Sequence, residues 1–137
     1  MKKIEENIFY RVYIAYLNKD YPATFVSCLY IALIYMFLLA PIYGLCIDLL
    51  QGLDKNIVKF IYVIYVATII LIIFKKYYKK AILKNVLDKN KSKQYLPTWC
   101  YFLILPLSMI LGVGFYVLIS IQILQRFNLE GYLYKLL

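Results

Sequence analysis

The sequence contains no histidine, and its acidic residues are few: seven Asp and Glu stand against sixteen Lys and Arg in 137 residues. Histidine is the usual general base and a common metal ligand, so its absence excludes imidazole ligation of haem, zinc or copper. All the acids lie at the ends of apolar stretches or between them, which argues against a proton relay within a bilayer. The three cysteines show no metal-ligand spacing. We therefore predict no catalytic residue, no metal site and no cofactor, and hence no enzyme.

Apolar residues, by contrast, are abundant, at 64% of the chain, and the mean hydropathy is +0.72. A soluble chain of this size could not cover so much apolar surface. Three long stretches carry no charge at all: Tyr21–Ile47, Phe60–Phe74 and Gln94–Gln125. Each is about long enough to cross a hydrocarbon core of roughly 30 Å. The sequence therefore predicts an all-α membrane protein with three transmembrane helices in one membrane domain.

Proline and glycine are scarce, with four and five in the chain, but some of them lie inside the predicted spans. Pro41 in the first span removes a backbone donor and frees the carbonyl of Phe37, and Pro106 interrupts the third span in the same way. Gly114 lies near the middle of the third span, where helix propensity is lowest. We predict hinges at these three positions. The predicted spans are Pro22–Ile47, Ile57–Phe74 and Thr98–Ile123.

Residues 1–20 have the pattern of an amphipathic helix. Ile4, Ile8 and Val12 recur at helical spacing, with polar residues on the opposite side. We predict an interfacial helix that lies on or under the inner leaflet. It is either a simple anchor or a lever that couples an event at the inner face to the first span.

Positive charge is concentrated between the second and third spans, in residues 75–96, which we predict to be a basic cytosolic loop. Nothing between Phe74 and Leu87 breaks a helix, so the second helix is predicted to extend into the cytosol. Short lysine-rich loops stay in the cytoplasm, which places the N-terminus inside and residues 124–137 in an outer tail. We expect an integral protein of a bacterial inner membrane. The lysines of the loop are Lys75, Lys76, Lys79, Lys80, Lys84, Lys89, Lys91 and Lys93.

These lysines have two interpretations. In the first they set the orientation of the chain and meet anionic lipid headgroups, at about 1 kcal/mol each. In the second they bind an anionic ligand at the cytosolic face, such as a nucleotide, an oligonucleotide or an acidic protein partner. Lysine outnumbers arginine fourteen to two. That bias weakens the case for shaped phosphate recognition, which depends on the bidentate geometry of arginine.

A second pattern lies on the third span, where small or polar residues recur at every fourth position and so share one face of a helix. One interpretation is helix packing, because small residues four apart let two backbones approach closely. The other is that several copies of the chain turn this stripe toward a shared axis and line a narrow pathway. The stripe consists of Ser108, Gly112, Tyr116 and Ser120.

The layout of three spans with the basic segment Lys75–Lys93 before the third resembles two related groups, the three-span phage holins and the small membrane effectors of bacterial anti-phage defence. The resemblance implies a short, basic, non-enzymatic protein that acts on the membrane itself. The chain differs from common holins in two ways. Its main basic cluster lies in a loop instead of a C-terminal tail, and its N-terminus is predicted to be cytoplasmic.

The leading functional hypothesis is a small homo-oligomeric membrane effector that forms a pore or conducts ions. It would be gated from the cytosolic face through the lysine-rich loop, in anti-phage defence. Three helices are too few to enclose an aqueous route in one chain, so a pathway needs several copies. One alternative is a non-catalytic accessory or anchoring subunit of a larger membrane complex. Another is a holin-like lysis protein.

Overall fold

The structure is a computed structural model that describes residues 2–19, 21–49, 55–79, 84, 86–88, 97–119 and 122. This part of the chain is helical and has no strands. Its four long helices are α1 (Lys2–Tyr16), α2 (Ala23–Leu49), α3 (Lys55–Tyr77) and α4 (Thr98–Ile119).

The three predicted membrane spans are confirmed as helices that are long and apolar enough to cross a bilayer. The first two helices extend slightly beyond the predicted spans at one or both ends. The third begins at the predicted residue, Thr98, and is described as far as Ile119. The segments that can span a membrane are Ala23–Asp48, Asn56–Tyr77 and Trp99–Ile119.

The three spanning helices alternate in direction, as consecutive membrane crossings must. Helices α2 and α4 run parallel, and α3 runs antiparallel to both. We call the end of the bundle where α2 and α4 begin and α3 ends the lysine end, and the opposite end the far end. The side-chain pairs that establish these directions are Tyr30 with Phe102 and Asp48 with Tyr116 between α2 and α4, and Phe25 with Phe74 and Tyr43 with Tyr62 between α2 and α3.

Helix α2 is the centre of the bundle, because it packs against each of the other three helices. In the most apolar stretch of α2, 39% of the residues are buried. The corresponding shares are 11% in α3 and 17% in α4. Most of the surface of α3 and α4 therefore faces outward as apolar side chains. Lipid or further protein must cover that surface in a membrane.

Helices α2 and α4 approach each other closely at Gly112 of α4, which lies against the backbone of Phe37 in α2. A Cβ atom at Gly112 would collide with the carbonyl oxygen of Phe37 and lie 2.8 Å from its carbonyl carbon. Pro41 supplies no N–H to that carbonyl, because a proline four residues later lacks the donor. The same carbonyl of Phe37 thus lacks a helical donor because of Pro41 and lies against Gly112, which has no side chain.

The predicted hinges lie within continuous helices. Helix α2 includes Pro41, and α4 includes both Pro106 and Gly114, without a break in either helix. Pro41 is buried, whereas Pro106 is exposed and a Cβ at Gly114 would meet nothing within 4 Å. A hinge role for these residues stays a prediction.

Helix α1 packs along the first half of α2. After a turn that follows Tyr16, the chain reverses, and Glu5 near the start of α1 comes to lie beside Tyr35 near the middle of α2. Phe9 and Val12 are fully buried against the other helices. An amphipathic helix lying on the leaflet is therefore not confirmed, because the apolar side of α1 is covered by protein.

The buried face of α1 agrees with the predicted one in part, because Ile8 and Val12 are buried as predicted. Ile4, which the spacing placed on the apolar face, is 65% exposed, whereas Phe9 was not assigned to that face and is buried. The reason is an aromatic contact with a distant helix, since the Phe9 ring stacks on Tyr77 of α3 with centroids 4.5 Å apart.

The predicted cytosolic extension of the second helix is not confirmed. Helix α3 ends at Tyr77, three residues beyond the predicted span, and Tyr78 and Lys79 are not helical. Val86 is 4% exposed and belongs to the apolar core, to which all four helices contribute. A straight continuation of α3 would carry Val86 about 13.5 Å beyond Tyr77, at 1.5 Å per residue, which does not agree with its place in the core.

Candidate functional site

An ion pair joins the start of α1 to the last turn of α3, beside the middle of α2. The Lys76 ammonium group lies 2.7 Å from both carboxylate oxygens of Glu5, and the hydroxyl of Tyr35 donates a hydrogen bond of 3.1 Å to the same carboxylate. The Glu5 side chain is 10% exposed and the Lys76 side chain 36% exposed. Three helices therefore meet at one carboxylate. Its partner cation still reaches the surface.

Aromatic rings surround this ion pair. Tyr77 is 1% exposed and stacks on Phe9, and the Lys76 ammonium lies 5.1 Å from the centre of the Tyr77 ring. Rings exclude water from a charge pair and strengthen the attraction between the two groups, but they also raise the cost of leaving either charge alone. The ion pair therefore holds α1 in place more firmly than an exposed pair would.

The structure divides the predicted anion-binding lysines. Lys75, Lys79 and Lys84 are exposed, whereas Lys76 is engaged by Glu5. Lys80, Lys89, Lys91 and Lys93 lie outside the described residues. The exposed lysines begin directly beside the ion pair along the chain. An anion drawn to them would also approach Lys76.

The small and polar stripe of the third span faces α2 of the same chain. Ser108 is 3% exposed and donates a hydrogen bond of 2.7 Å to the carbonyl of Leu105. Gly112 lies against Phe37, and Tyr116 is buried against α2, while Ser120 lies outside the described residues. Three members of the stripe are thus used in packing within the chain. Pore lining stays a prediction that would need these contacts to open.

A cavity of about 610 Å³ lies between α2, α3 and α4 at the far end. Such a volume is within the usual range of small-ligand sites. Its walls are mainly apolar, with Ala40, Val58 and Val63 among them, and its polar side chains gather near the helix ends. Those side chains are Tyr43, Asp48, Lys59, Tyr62 and Tyr116.

Asp48 is the buried acid of this cavity. It is 2% exposed and accepts a hydrogen bond of 2.6 Å from the hydroxyl of Tyr116, whose ring lies against Gly44. Sequence reasoning did not single out Asp48, because it lies at the end of a span where acids are ordinary. The sequence did offer one indication: Tyr116 belongs to the predicted stripe, and its hydroxyl can donate a hydrogen bond to an acid at the end of α2.

Replacing Tyr116 by phenylalanine is expected to lower the free energy of unfolding by about 1.5–3 kcal/mol, the usual worth of a hydrogen bond to a charged group. The ring would remain against Gly44, so the loss reports the hydroxyl and not the packing. Denaturation in detergent micelles, followed by circular dichroism, measures the change. Tyr78→Phe is the matched control, since Tyr78 is 64% exposed. Equal stability of the two variants would contradict a structural role for the contact with Asp48.

The chain matches no protein-family model, and comparisons with the curated proteins and with the solved structures give no match. Among the described residues, no three histidine, cysteine or acidic side chains come together as a metal site would require. Two features of the bundle could therefore serve a function: the Glu5–Lys76 ion pair and the cavity at the far end.

Proposed function

We propose that this integral membrane protein is a non-enzymatic, homo-oligomeric effector that changes membrane permeability when an anion binds at its lysine end. Bacterial anti-phage defence is the setting that its layout suggests. The observation that carries the proposal is the Glu5–Lys76 ion pair, which connects α1 to α3 beside the exposed lysines. It is a contact that an anionic ligand can compete for.

Competition follows from the exposure of the two partners. The Lys76 side chain is 36% exposed and can turn toward an anion held by Lys75 and Lys79, whereas the Glu5 side chain is 10% exposed and stays within the bundle. A nucleotide, an oligonucleotide or an acidic protein presents several negative charges close together, whereas Glu5 offers Lys76 a single carboxylate. Binding of a nucleotide, an oligonucleotide or an acidic protein would then draw Lys76 from Glu5. Helix α1 would lose its polar attachment to α3.

Assembly through α3 is the second part of the proposal. Only 11% of its most apolar stretch is buried, and Val63, Leu71 and Ile72 are all more than half exposed. A ring of copies could pack these faces together and place α3 near a shared axis. The pathway would then be lined by a face other than the Ser108–Tyr116 stripe, unless α4 leaves α2 when the assembly opens.

The second candidate is a non-conducting accessory or anchoring subunit. It is favoured by the stripe on α4, because Gly112 and Tyr116 are already used in packing against α2 and give no polar lining to a pathway. In that case the exposed face of α3 would meet a different membrane protein. The mass of the purified chain separates the two candidates. A closed ring of four or more copies supports the effector, and a monomer or dimer supports the accessory subunit.

Glu5→Gln is expected to raise the ion leak of reconstituted vesicles in the absence of any anion. Loss of a charged hydrogen-bonded contact is worth about 1.5–3 kcal/mol, which corresponds to about tenfold or more in an opening equilibrium. The measurement is potassium efflux from vesicles of neutral phospholipid, with and without a short oligothymidylate on the lysine side. The double variant Lys75→Gln, Lys79→Gln is expected to lose the response to oligothymidylate.

Lys59→Gln is the matched control for these lysine changes, because Lys59 is exposed at the far end. It should keep both the low basal leak and the oligothymidylate response. If neither the wild type nor Glu5→Gln conducts, although the protein is correctly folded and inserted, the effector proposal is wrong. The accessory role would then be the better conclusion.

A further inference from the structure

We propose that α3 of one copy of this chain packs antiparallel against α4 of a second copy, through two matching rows of exposed residues, and that repetition of this contact closes a ring. The inference rests on the homo-oligomeric assembly of the proposed function and assigns that assembly a specific contact. It follows from the spacing, the size and the depth of the exposed residues on the two helices.

Helix α3 carries exposed residues at alternating intervals of three and four along one face. This is the heptad spacing at which helices pack side by side in coiled coils and in most membrane bundles. At about 100° per residue the face lies opposite the buried Ile69 and Ile73, so it points away from the core. We call it the α3 seam. It consists of Ile57, Phe60, Ile64, Ala67 and Leu71.

Helix α4 carries a second exposed face with the same alternating spacing. This face lies opposite the Ser108–Tyr116 stripe, which packs against α2, and a Cβ atom at Gly114 within it would meet nothing within 4 Å. Lipid imposes no period on the side chains that it covers, whereas a packed helix does, so the spacing favours another helix as the neighbour. The α4 seam consists of Leu103, Leu107, Ile110, Gly114 and Val117.

The two seams fit each other when one of them is reversed, as it is between antiparallel helices. In that register Phe60, which is 65% exposed, meets Gly114, and the small Ala67 meets Leu107. Large residues opposite small ones let two helices interdigitate. Both seams point away from the core of their own chain, so they can meet only between two copies. The remaining pairs are Ile57 with Val117, Ile64 with Ile110 and Leu71 with Leu103.

The same register agrees with the depth of the residues in the bundle. In a ring about an axis normal to the membrane, each residue keeps its depth from one copy to the next. Within one chain, Tyr65 of α3 and Gly112 of α4 contact adjacent residues of α2 and so lie at about the same level. The seam register places Tyr65 level with Met109, about 4.5 Å along the helix from Gly112. The two seams therefore meet at their natural depths to within one helical turn.

The angle between the two packing faces of α2 sets the number of copies that close the ring. Met36 and Tyr43 contact α3. Tyr30, Phe37 and Gly44 contact α4. At about 100° per residue, the two faces are about 110° apart. Because each seam lies opposite α2, successive copies turn by about 70°, which closes a ring of about five copies.

The test is disulfide cross-linking of the full chain in phospholipid vesicles, with its three native cysteines replaced by alanine. On oxidation, the double variant Phe60→Cys, Gly114→Cys is expected to give a ladder of linked chains. The matched control is Phe60→Cys, Leu107→Cys, which should not link because Leu107 lies about 10 Å along the helix from Gly114. Absence of the ladder would overturn the proposal. Linked dimers from Phe60→Cys alone would also overturn it, since they would assign the contact to two copies of α3.

Gly114→Leu provides a second test that needs no cysteine. The new side chain would occupy the space that Phe60 requires and would point away from its own chain. The mass measured by native mass spectrometry should fall from that of a ring to that of a monomer. Val113→Leu, one residue away and outside the seam, should keep the ring. A wild-type stoichiometry in Gly114→Leu would mean that lipid or another protein covers the α4 seam, and would overturn the proposal.

An exchange of sizes across the contact tests the register. Ala67→Leu alone should prevent assembly, whereas Ala67→Leu, Leu107→Ala should restore the ring, because each contact again pairs a large residue with a small one. The outcome is separate from that of the proposed function. A linked ring that conducts no ions would keep the seam contact and remove the effector. Ion efflux from a protein whose seams do not link would keep the effector and overturn the seam contact.

Discussion

Replacing Gly112 by alanine is expected to lower the free energy of unfolding by about 3 kcal/mol, at the upper end of the cost of overpacking. The added methyl group would collide with the carbonyl oxygen of Phe37, which belongs to a helix backbone and cannot rotate away as a side chain could. Helices α2 and α4 would have to move apart, and their separation would also lengthen the hydrogen bond between Tyr116 and Asp48. Denaturation in micelles, followed by tyrosine circular dichroism, measures this loss.

Gly114→Ala is the matched control, since it makes the same change two residues away on the same helix. A Cβ at Gly114 would meet nothing within 4 Å. Alanine has a higher helix propensity than glycine by up to about 1 kcal/mol, so this variant should be as stable as the wild type or slightly more stable. If Gly112→Ala were equally well tolerated, the close approach of α2 and α4 at Phe37 would be wrong.

Glu5→Lys is expected to detach α1 from α3 and to destabilise the fold by about 2–4 kcal/mol. The change removes the attraction to Lys76 and places a second ammonium group among Tyr35, Phe9 and Tyr77. The expected value stays below the cost of a fully buried charge because the Lys76 side chain is 36% exposed and can turn outward. Cleavage of α1 by an added protease, compared with the wild type, reports the detachment directly.

The charge-reversed pair tests whether the effect comes from the interaction itself. Lys76→Glu alone should be destabilising, and the double variant Glu5→Lys, Lys76→Glu should recover a large part of the lost stability, since opposite charges again face each other. Glu6→Lys is the control for added positive charge in α1, because Glu6 is the next residue and is only half-buried. If the double variant loses as much stability as the two single variants lose together, a direct pairing of Glu5 with Lys76 is contradicted.

The length and hydropathy of the apolar stretches were sufficient to predict the spanning helices. Helix α2 begins at Ala23, one residue after the predicted start, and α4 begins at Thr98 as predicted. The sequence predicts such boundaries well because the free energy of transferring a helix into lipid is a sum of contributions from consecutive residues. The four-residue recurrence of Ser108, Gly112 and Tyr116 likewise marked one face of α4, although it did not indicate which neighbour that face would meet.

The position of α1 and the end of α3 could not be read in the same way. The spacing of Ile4, Ile8 and Val12 predicted a helix on the leaflet, but packing turned Phe9 inward. The absence of a helix breaker after Phe74 favoured a long extension, but α3 ends at Tyr77 and Val86 joins the core. In both cases the gain comes from burying side chains against residues far away in the chain.

The sequence by itself thus determined an all-helical membrane protein with three spans, a concentration of positive charge before the third span and no histidine chemistry. Only the tertiary structure decided that Glu5 pairs with Lys76 and that the buried Asp48 accepts a hydrogen bond from Tyr116. It also decided that Gly112 and Tyr116 of α4 pack against α2. The physical reason is separation along the chain. Glu5 and Lys76 are 71 residues apart, and Asp48 and Tyr116 are 68 apart. Hydropathy acts through neighbouring residues, whereas pairings of this kind exist only after the helices have packed.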